Sequence, residues 1–357
     1  MDTRFFDLPV YGLASAEKTP RLIDALHDLT QHHVAHCPEY ARLLHAFGID
    51  PAMRPKQLED FLPVTVRQFK LHRLKSIPDA AMFKTLLSSG TTGTPSTISL
   101  DKDAAANLSK ALVKIMQHWL GRQRLPMLIA DHAGVIKDRA RFSARGAGIQ
   151  GMSLLGRDHT YALREDMSFD HQAVRAFAER HGDTPVLLFG FTYMVWQHFI
   201  EPLIESGCRL PHAILLHGGG WKKLQDQSVD NATFKARLTE AGIKRVHNYY
   251  GMVEQTGAIF VECEQGHLHT PVYADIIIRD PLNGQALGHG EQGIIELLSV
   301  LPDSYPGHVL LSEDMGRLLG EDDCPCGRKG RYFQILGRIP RAEARGCSDT
   351  FAPEVTS

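Results

Sequence analysis

Leu86-Leu87-Ser88-Ser89-Gly90-Thr91-Thr92-Gly93-Thr94-Pro95 is the stretch on which the reading of this chain turns. A short apolar run delivers the chain into a tract of small hydroxyl residues and glycine. Glycine permits backbone dihedrals and close approaches that other residues resist. Successive backbone N–H groups, helped by Ser and Thr hydroxyls, can surround phosphate oxygens. The P-loop signature is not met, because no Gly-Lys-Ser/Thr follows. Any one of these residues would suit an ordinary polar loop. Six in a row, closed by Thr-Pro, point to a phosphate-binding loop.

Outward from this loop the chain alternates. Short apolar runs at Met127–Ala130, Val186–Phe189 and Ala213–Leu216 are separated by helical stretches such as Ala104–Leu120 and His171–Arg180. That alternation predicts an α/β fold with a largely buried sheet flanked by helices. Thr256–Val261, Ala274–Ile278 and Gly293–Val300 are β-rich and lie between turn signals at Asn283-Gly284 and Gly288-His289-Gly290, which predicts a smaller β subdomain. On the N-terminal side, Leu22, Leu26, Leu29, Val34, Leu43 and Leu44 predict one amphipathic helix over 16–48. Phe61–Thr65 reads as a linker. The expected division is an N-terminal helical segment (1–80) packed on a core (81–336), then a hinge and tail (337–357).

Composition sets limits. The 357 residues are 43% hydrophobic and 22% charged, an ordinary globular composition. Thirty-nine basic and 41 acidic residues give a net charge of −2, with no basic tract to hold nucleic acid. Met1–Asp7 lacks the pattern of a signal peptide, and no apolar run of ~20 residues is long enough to span a membrane. Six cysteines without such a leader suggest reduced thiols and a cytoplasmic protein.

Four more segments follow the loop. They are His217-Gly218-Gly219-Gly220-Trp221-Lys222-Lys223, Tyr249-Tyr250-Gly251-Met252-Val253-Glu254-Gln255, Ser312-Glu313-Asp314-Met315-Gly316 and Leu336-Gly337-Arg338. With Ser88–Pro95 they resemble, in order, the motifs of the adenylate-forming superfamily of acyl-CoA synthetases and luciferases. The resemblance runs from 86 to 338. It implies that Ser88, Ser89, Gly90, Thr91, Thr92 and Gly93 hold ATP phosphates. Gly218, Gly219 and Gly220 would let adenine lie on the backbone, and Tyr250, beside Gly251, would stack on it. Glu254 would help hold Mg²⁺, Asp314 would bind the ribose and Arg338 would sit at a hinge. Two positions depart from the pattern. Ser96 and Thr97 stand where a lysine is usual, and Val253 replaces a threonine, with Thr256 the nearest substitute hydroxyl. The inventory suits its chemistry. Attack of a carboxylate on an α-phosphate joins two anions, so a cation and donors are needed rather than a protein nucleophile.

Nineteen residues follow Arg338, too few for the C-terminal domain of acyl-CoA synthetases, and a truncated C-terminus is the expectation. That feature is similar to the acyl-protein synthetases (LuxE-like). So are Ser143-Ala144-Arg145-Gly146, Gly190-Phe191-Thr192, Ser304-Tyr305-Pro306-Gly307-His308 and Glu343-Ala344-Arg345-Gly346-Cys347-Ser348. This resemblance implies transfer of the acyl group from acyl-AMP to Cys347 and on to a partner such as a reductase. Arg341 and Arg345 would favour the thiolate. The acid would be fatty or otherwise hydrophobic, with Phe189, Phe191, Tyr193 and Trp196 as candidate walls. The rivals are an acyl- or aryl-CoA ligase and a non-catalytic nucleotide-binding protein of the same fold.

Cys263, His269, Cys324 and Cys326 form a second constellation, with His267 as an alternative ligand. Cys₃His is a closed structural zinc set. The expectation is Zn²⁺ clipping two β elements together.

Overall fold

The computed structural model describes residues 2–88, 95–136, 144–221 and 228–339. Two helices open the chain, α1 (Ser15–His36) and α2 (Pro38–Ala46). The sequence pattern predicts one helix here. Pro38 divides it by disfavouring helical dihedrals at Cys37, which is extended at φ −128° and ψ 94°. Val64 and Thr65 are not merely a linker. They form β1 (Val64–Thr65), parallel to Leu310 and Leu311. After α3 (Val66–Leu71), β2 (Lys84–Leu87) and β3 (Thr97–Leu100) make a separate antiparallel pair.

Helix α4 (Lys102–Leu120) follows, then β4 (Leu125–His132), α5 (Ala144–Ser153), β5 (Gly156–Leu163), α6 (His171–His181) and β6 (Val186–Phe191). A continuous helical run comes next, made of α7 (Thr192–Met194), a π-helical stretch (Val195–Ile200) and α8 (Glu201–Glu205). Then come β7 (Ala213–Gly218), α9 (Asn231–Glu240) and β8 (Arg245–Tyr250). Asp101, Asp170 and Asp230 cap α4, α6 and α9 by accepting from backbone N–H groups three residues on, at 2.8, 3.0 and 2.7 Å. The remaining strands are β9 (Phe260–Glu262), β10 (Leu268–His269), β11 (Ala274–Arg279), β12 (Gln292–Ser299), β13 (Val309–Glu321) and β14 (Arg331–Arg338).

Twelve of these strands form one sheet among the described residues, in the order β11-β12-β13-β14-β10-β9-β8-β7-β6-β4-β5, with β1 beside β13. From β8 to β5 the pairing is parallel, and from β11 to β8 it is antiparallel. Met127–Ala130, Val186–Phe189 and Ala213–Leu216 are almost fully buried, because helices cover both faces of the parallel half. This is the mixed α/β architecture expected. No described helix is long and apolar enough to cross a membrane.

Two features of this topology position the site. β4 has β5 on one side and β6 on the other, so the connections leaving β4 and β6 diverge. A crevice opens at such a switch point, outside the carboxyl ends of the strands. The second feature is a narrow junction. The parallel and antiparallel halves meet through β9 and the two-residue β10. The N-terminal helices are tied to the antiparallel half by Lys18, whose buried ammonium lies 3.3 Å from Asp275 and donates to Thr270 Oγ1 at 2.9 Å.

Candidate active site

The sequence motifs gather at the carboxyl ends of the parallel strands. Tyr250 ends β8 with its hydroxyl donating to Asp314 Oδ2 at 2.7 Å. Asp314 is the ladder partner of Arg338, whose Nε lies 3.6 Å from Asp314 Oδ1. Burial, then the neighbouring carboxylate, drives the Tyr250 phenol well above its ordinary value. Burial also raises Asp314, opposed by the Tyr250 hydrogen bond and by Arg338. One ring, one carboxylate and one guanidinium from three distant segments therefore form a single polar cluster.

At the end of β7, Gly218 has no room for a side chain. A Cβ there would lie 2.8 Å from both the ring and the carbonyl oxygen of Tyr249. Gly219 and Gly220 follow at φ +79° and +58°, the left-handed region. Thr192, just past β6, fastens this turn. Its Oγ1 donates to Gly218 O at 3.2 Å and sits 3.0 Å from His217 Nδ1. With its one hydrogen committed, Thr192 must accept from His217, which places the imidazole proton on Nδ1. Burial, reinforced by the Lys235 charge, lowers His217 to about 3, so it is neutral.

Glu254 lies on a short 3₁₀ turn after β8 and is 3% exposed. No hydrogen bond reaches its carboxylate among the described residues. A carboxylate on a largely buried residue, with no protein donor among the described residues, is the kind of hard oxygen ligand that suits Mg²⁺. The turn is pinned by Gln255, whose Nε2 donates to Leu297 O at 3.0 Å and Gly307 O at 3.1 Å. Ser88 borders the phosphate-loop segment. Its N–H donates to Ser96 O, and its Oγ accepts from Ser96 N at 2.8 Å. Ser89, Gly90, Thr91, Thr92, Gly93 and Cys347 lie outside the described residues.

The cysteines meet as the sequence suggested. Ligand atoms of Cys263, His269, Cys324 and Cys326 all lie within 4.8 Å of one another. Cys263 Sγ is 4.0 Å from Cys324 Sγ, and Cys326 Sγ is 3.3 Å from His269 Nε2. Zinc–sulfur bonds of ~2.3 Å in a tetrahedron put sulfurs about 3.8 Å apart, so the donor set and spacing fit zinc. His267 approaches Cys324 Sγ at 3.4 Å but stacks on Tyr332, outside the four.

The string that contains Arg145 joins a polar cluster whose other members, Asp131 and His132, the sequence did not single out. Asp131 and His132 end β4, and Arg145 opens toward them from α5, its Nε 3.1 Å from Asp131 Oδ2. A charge at the end of a buried apolar strand was the available signal. Of the aromatic residues expected to wall the acid, Phe189 and Phe191 are core, while Tyr193 and Trp196 are half-buried.

The family profile described as acyl-protein synthetase, LuxE, matches residues 1–356. The chain belongs to this family of AMP-forming ligases. Among similar proteins is a long-chain-fatty-acid–luciferin-component ligase of Vibrio harveyi, 23% identical over 355 residues, covering 95% of this chain and 88% of the relative. The ligase of the same description from Aliivibrio fischeri is 25% identical over 196 residues, 53% of this chain and 50% of the relative. Among solved structures, an open form of 2-hydroxyisobutyryl-CoA ligase with 2-HIB-AMP and CoA superposes with a TM-score of 0.70 at 20% identity, covering 92% of this chain and 71% of the other. Its postadenylation state gives 0.67 at 18%, covering 92% and 69%. The fold of this LuxE-family chain is therefore that of the adenylate-forming ligases.

Proposed function

We propose that the protein activates a fatty or other hydrophobic acid with ATP and passes the acyl group to its own Cys347. The carboxylate oxygen attacks the α-phosphorus, the bond to pyrophosphate breaks, and acyl-AMP forms. The Cys347 thiolate then attacks the acyl carbon, AMP leaves, and a thioester remains for transfer to a protein partner such as a reductase. The observation that carries this reading is the Tyr250–Asp314–Arg338 cluster beside the Gly218–Gly220 turn. Three motifs separated by up to 88 positions meet where a nucleoside would need a ring, a ribose acceptor and a cation. The relatives are ligases whose descriptions name a long-chain fatty acid, which supports the acid class.

In this reading Ser88–Gly93 hold the phosphates and Glu254 would hold Mg²⁺, which supplies charge neutralisation at the α-phosphate. Cys263, His269, Cys324 and Cys326 would hold a structural Zn²⁺. The test is intact-mass analysis after incubation with ATP, Mg²⁺ and a panel of carboxylic acids. An adduct on Cys347 that hydroxylamine removes, absent in Cys347→Ser, is expected. Acyl-AMP without an adduct would move the acceptor to another molecule. Neither product would end the adenylation reading.

A further inference from the structure

The ionic cluster at the switch point belongs to none of the nucleotide motifs. Asp131 is 1% exposed and accepts from the His132 N–H at 2.8 Å. A carboxylate buried this deeply is costly unless it is paired, and Arg145 pairs it through Nε. The contact is a close ion pair without hydrogen-bond geometry, since Asp131 Oδ2 accepts no hydrogen bond among the described residues, and it leaves the terminal nitrogens of the guanidinium poorly engaged. Among the described residues the terminal nitrogens reach Tyr193 OH at 3.5 Å and His132 Nε2 at 3.4 Å, both long for a guanidinium donor, and the weak acceptor Met194 Sδ at 3.6 Å. The Arg145 side chain is 24% exposed, so it is not sealed in the core.

Its position is equally specific. Arg145 sits between the carboxyl ends of β4 and β6, at the crevice that the topology creates. Tyr193, which it approaches, directly follows the Thr192 that bonds the Gly218 turn. Helix α5 is seated closely here, since a Cβ on Gly148 would lie 2.9 Å from the Phe191 ring.

We propose that Arg145 binds the carboxylate of the acid substrate through its terminal nitrogens, with Asp131 as the positioning residue that orients it. The proposal rests on the adenylating reading for its substrate class, a monocarboxylic acid with an apolar body. A guanidinium presents two parallel donors that match a carboxylate, which an ammonium cannot do. The Asp131 charge tempers the attraction. The carboxylate is placed without being held so tightly that its attack on phosphorus is suppressed.

The test uses the full chain without ATP, titrated calorimetrically with octanoate and octanamide, and with benzoate and benzamide. The variants are Arg145→Gln, Arg145→Lys and Asp131→Asn, each checked by thermal melting. The wild type is expected to prefer the better-bound acid to its amide by roughly 10- to 100-fold, and Arg145→Gln to lose that preference while binding the amide as before. Arg145→Lys keeps the charge that Asp131 needs and should recover part of the preference. In pyrophosphate exchange, Arg145→Gln should raise KM for the acid and leave KM for ATP within about twofold. Equal weakening of acid and amide, or a rise confined to KM for ATP, would overturn the assignment. If Arg145 sets the acid preference but no acyl-AMP forms from any acid, the carboxylate site stands and the adenylation reading falls.

Discussion

The Tyr250 hydroxyl and Asp314 Oδ2 meet at 2.7 Å although β8 and β13 are four strand spacings apart in the sheet order. Laid flat, four spacings of ~4.8 Å would separate the strands by about 19 Å. The sheet must therefore curl at the narrow β9–β10 junction, and the hydrogen bond closes that curl. Tyr250→Phe removes the donor and leaves a buried carboxylate with Arg338 alone, at 3.6 Å. A stability loss of about 1–3 kcal/mol is expected in urea denaturation. ATP affinity should fall about tenfold as the cluster loosens. A variant with unchanged stability and unchanged ATP affinity would show that the contact matters to neither.

The same junction carries the cysteines. Cys263 precedes β10, His269 lies on it, and Cys324 and Cys326 occupy the turn between β13 and β14. A metal here would fasten the two halves of the sheet. Elemental analysis of freshly purified protein should return one zinc per chain. Chelation, or Cys326→Ser, should lower Tm by several degrees and weaken ATP binding, because the curl that joins Tyr250 to Asp314 relaxes. Metal-free protein with the same Tm would rule out a structural zinc.

Buried imidazoles predict acid sensitivity, and His33, lowered well below its ordinary value by burial, and His269, lowered to about 4, add to the two lowest. His217 and His308 are each lowered to about 3, both chiefly by burial. His308 packs against His33 and lies 3.0 Å from Thr30 Oγ1. In the unfolded chain each takes up a proton near pH 6.5, while the folded protein does not. Their stabilisation is therefore full above pH 6.5 and is lost as pH falls from 6.5 toward 3. At pH 5.5 each should cost about 1.4 kcal/mol relative to pH 8, about 3 kcal/mol together. Denaturation at the two pH values measures this directly. His308→Gln should remove about 1.4 kcal/mol of the pH dependence, and an undiminished slope would assign it to other groups.

Local structure was legible in the sequence, and long-range joins were not. Met127–Ala130, Val186–Phe189 and Ala213–Leu216 announced their strands because a parallel strand covered on both faces must be apolar throughout. The cysteine and histidine set was legible because thiol and imidazole ligands are rare and costly to place at random. Val64 and Thr65 read as a linker because their partners, Leu310 and Leu311, lie some 245 residues away and impose no local pattern. The curl that brings Tyr250 to Asp314 is invisible for the same reason. Asp131 was missed, and Arg145 was noticed without its partner, because a charged residue ending a strand looks the same whether solvent or an arginine meets it.

Glu254 gives a prediction that separates charge from packing. The residue is largely buried, and Gln255 holds its backbone through two carbonyl oxygens on neighbouring segments. Glu254→Gln keeps the shape and removes the charge. The Mg²⁺ concentration for half-maximal pyrophosphate exchange should rise at least tenfold, with Tm changed little. Gln255→Ala should do the reverse in part, lowering Tm by removing the two hydrogen bonds that pin the turn. An unaltered Mg²⁺ dependence in Glu254→Gln would remove this residue from the metal site.

The glycine turn offers the sharpest steric contrast. At Gly218 an added methyl group would meet the Tyr249 carbonyl oxygen at 2.8 Å, a backbone atom held in the β7–β8 ladder that cannot swing aside. At Gly220 the same methyl group would meet nothing within 4 Å among the described residues, and the positive φ of +58° is what opposes it. Gly220→Ala should therefore cost about 1 kcal/mol of backbone strain. Gly218→Ala should cost more, about 1–3 kcal/mol, by forcing β7 away from β8. Because Tyr249 adjoins Tyr250, that displacement should also weaken ATP binding, whereas Gly220→Ala should leave the Tyr250–Asp314 contact in place. Denaturation and ATP titration of the two variants, side by side, check both statements. Equal effects at the two positions would mean that backbone conformation, and not the closeness of Tyr249, is what requires glycine in this turn.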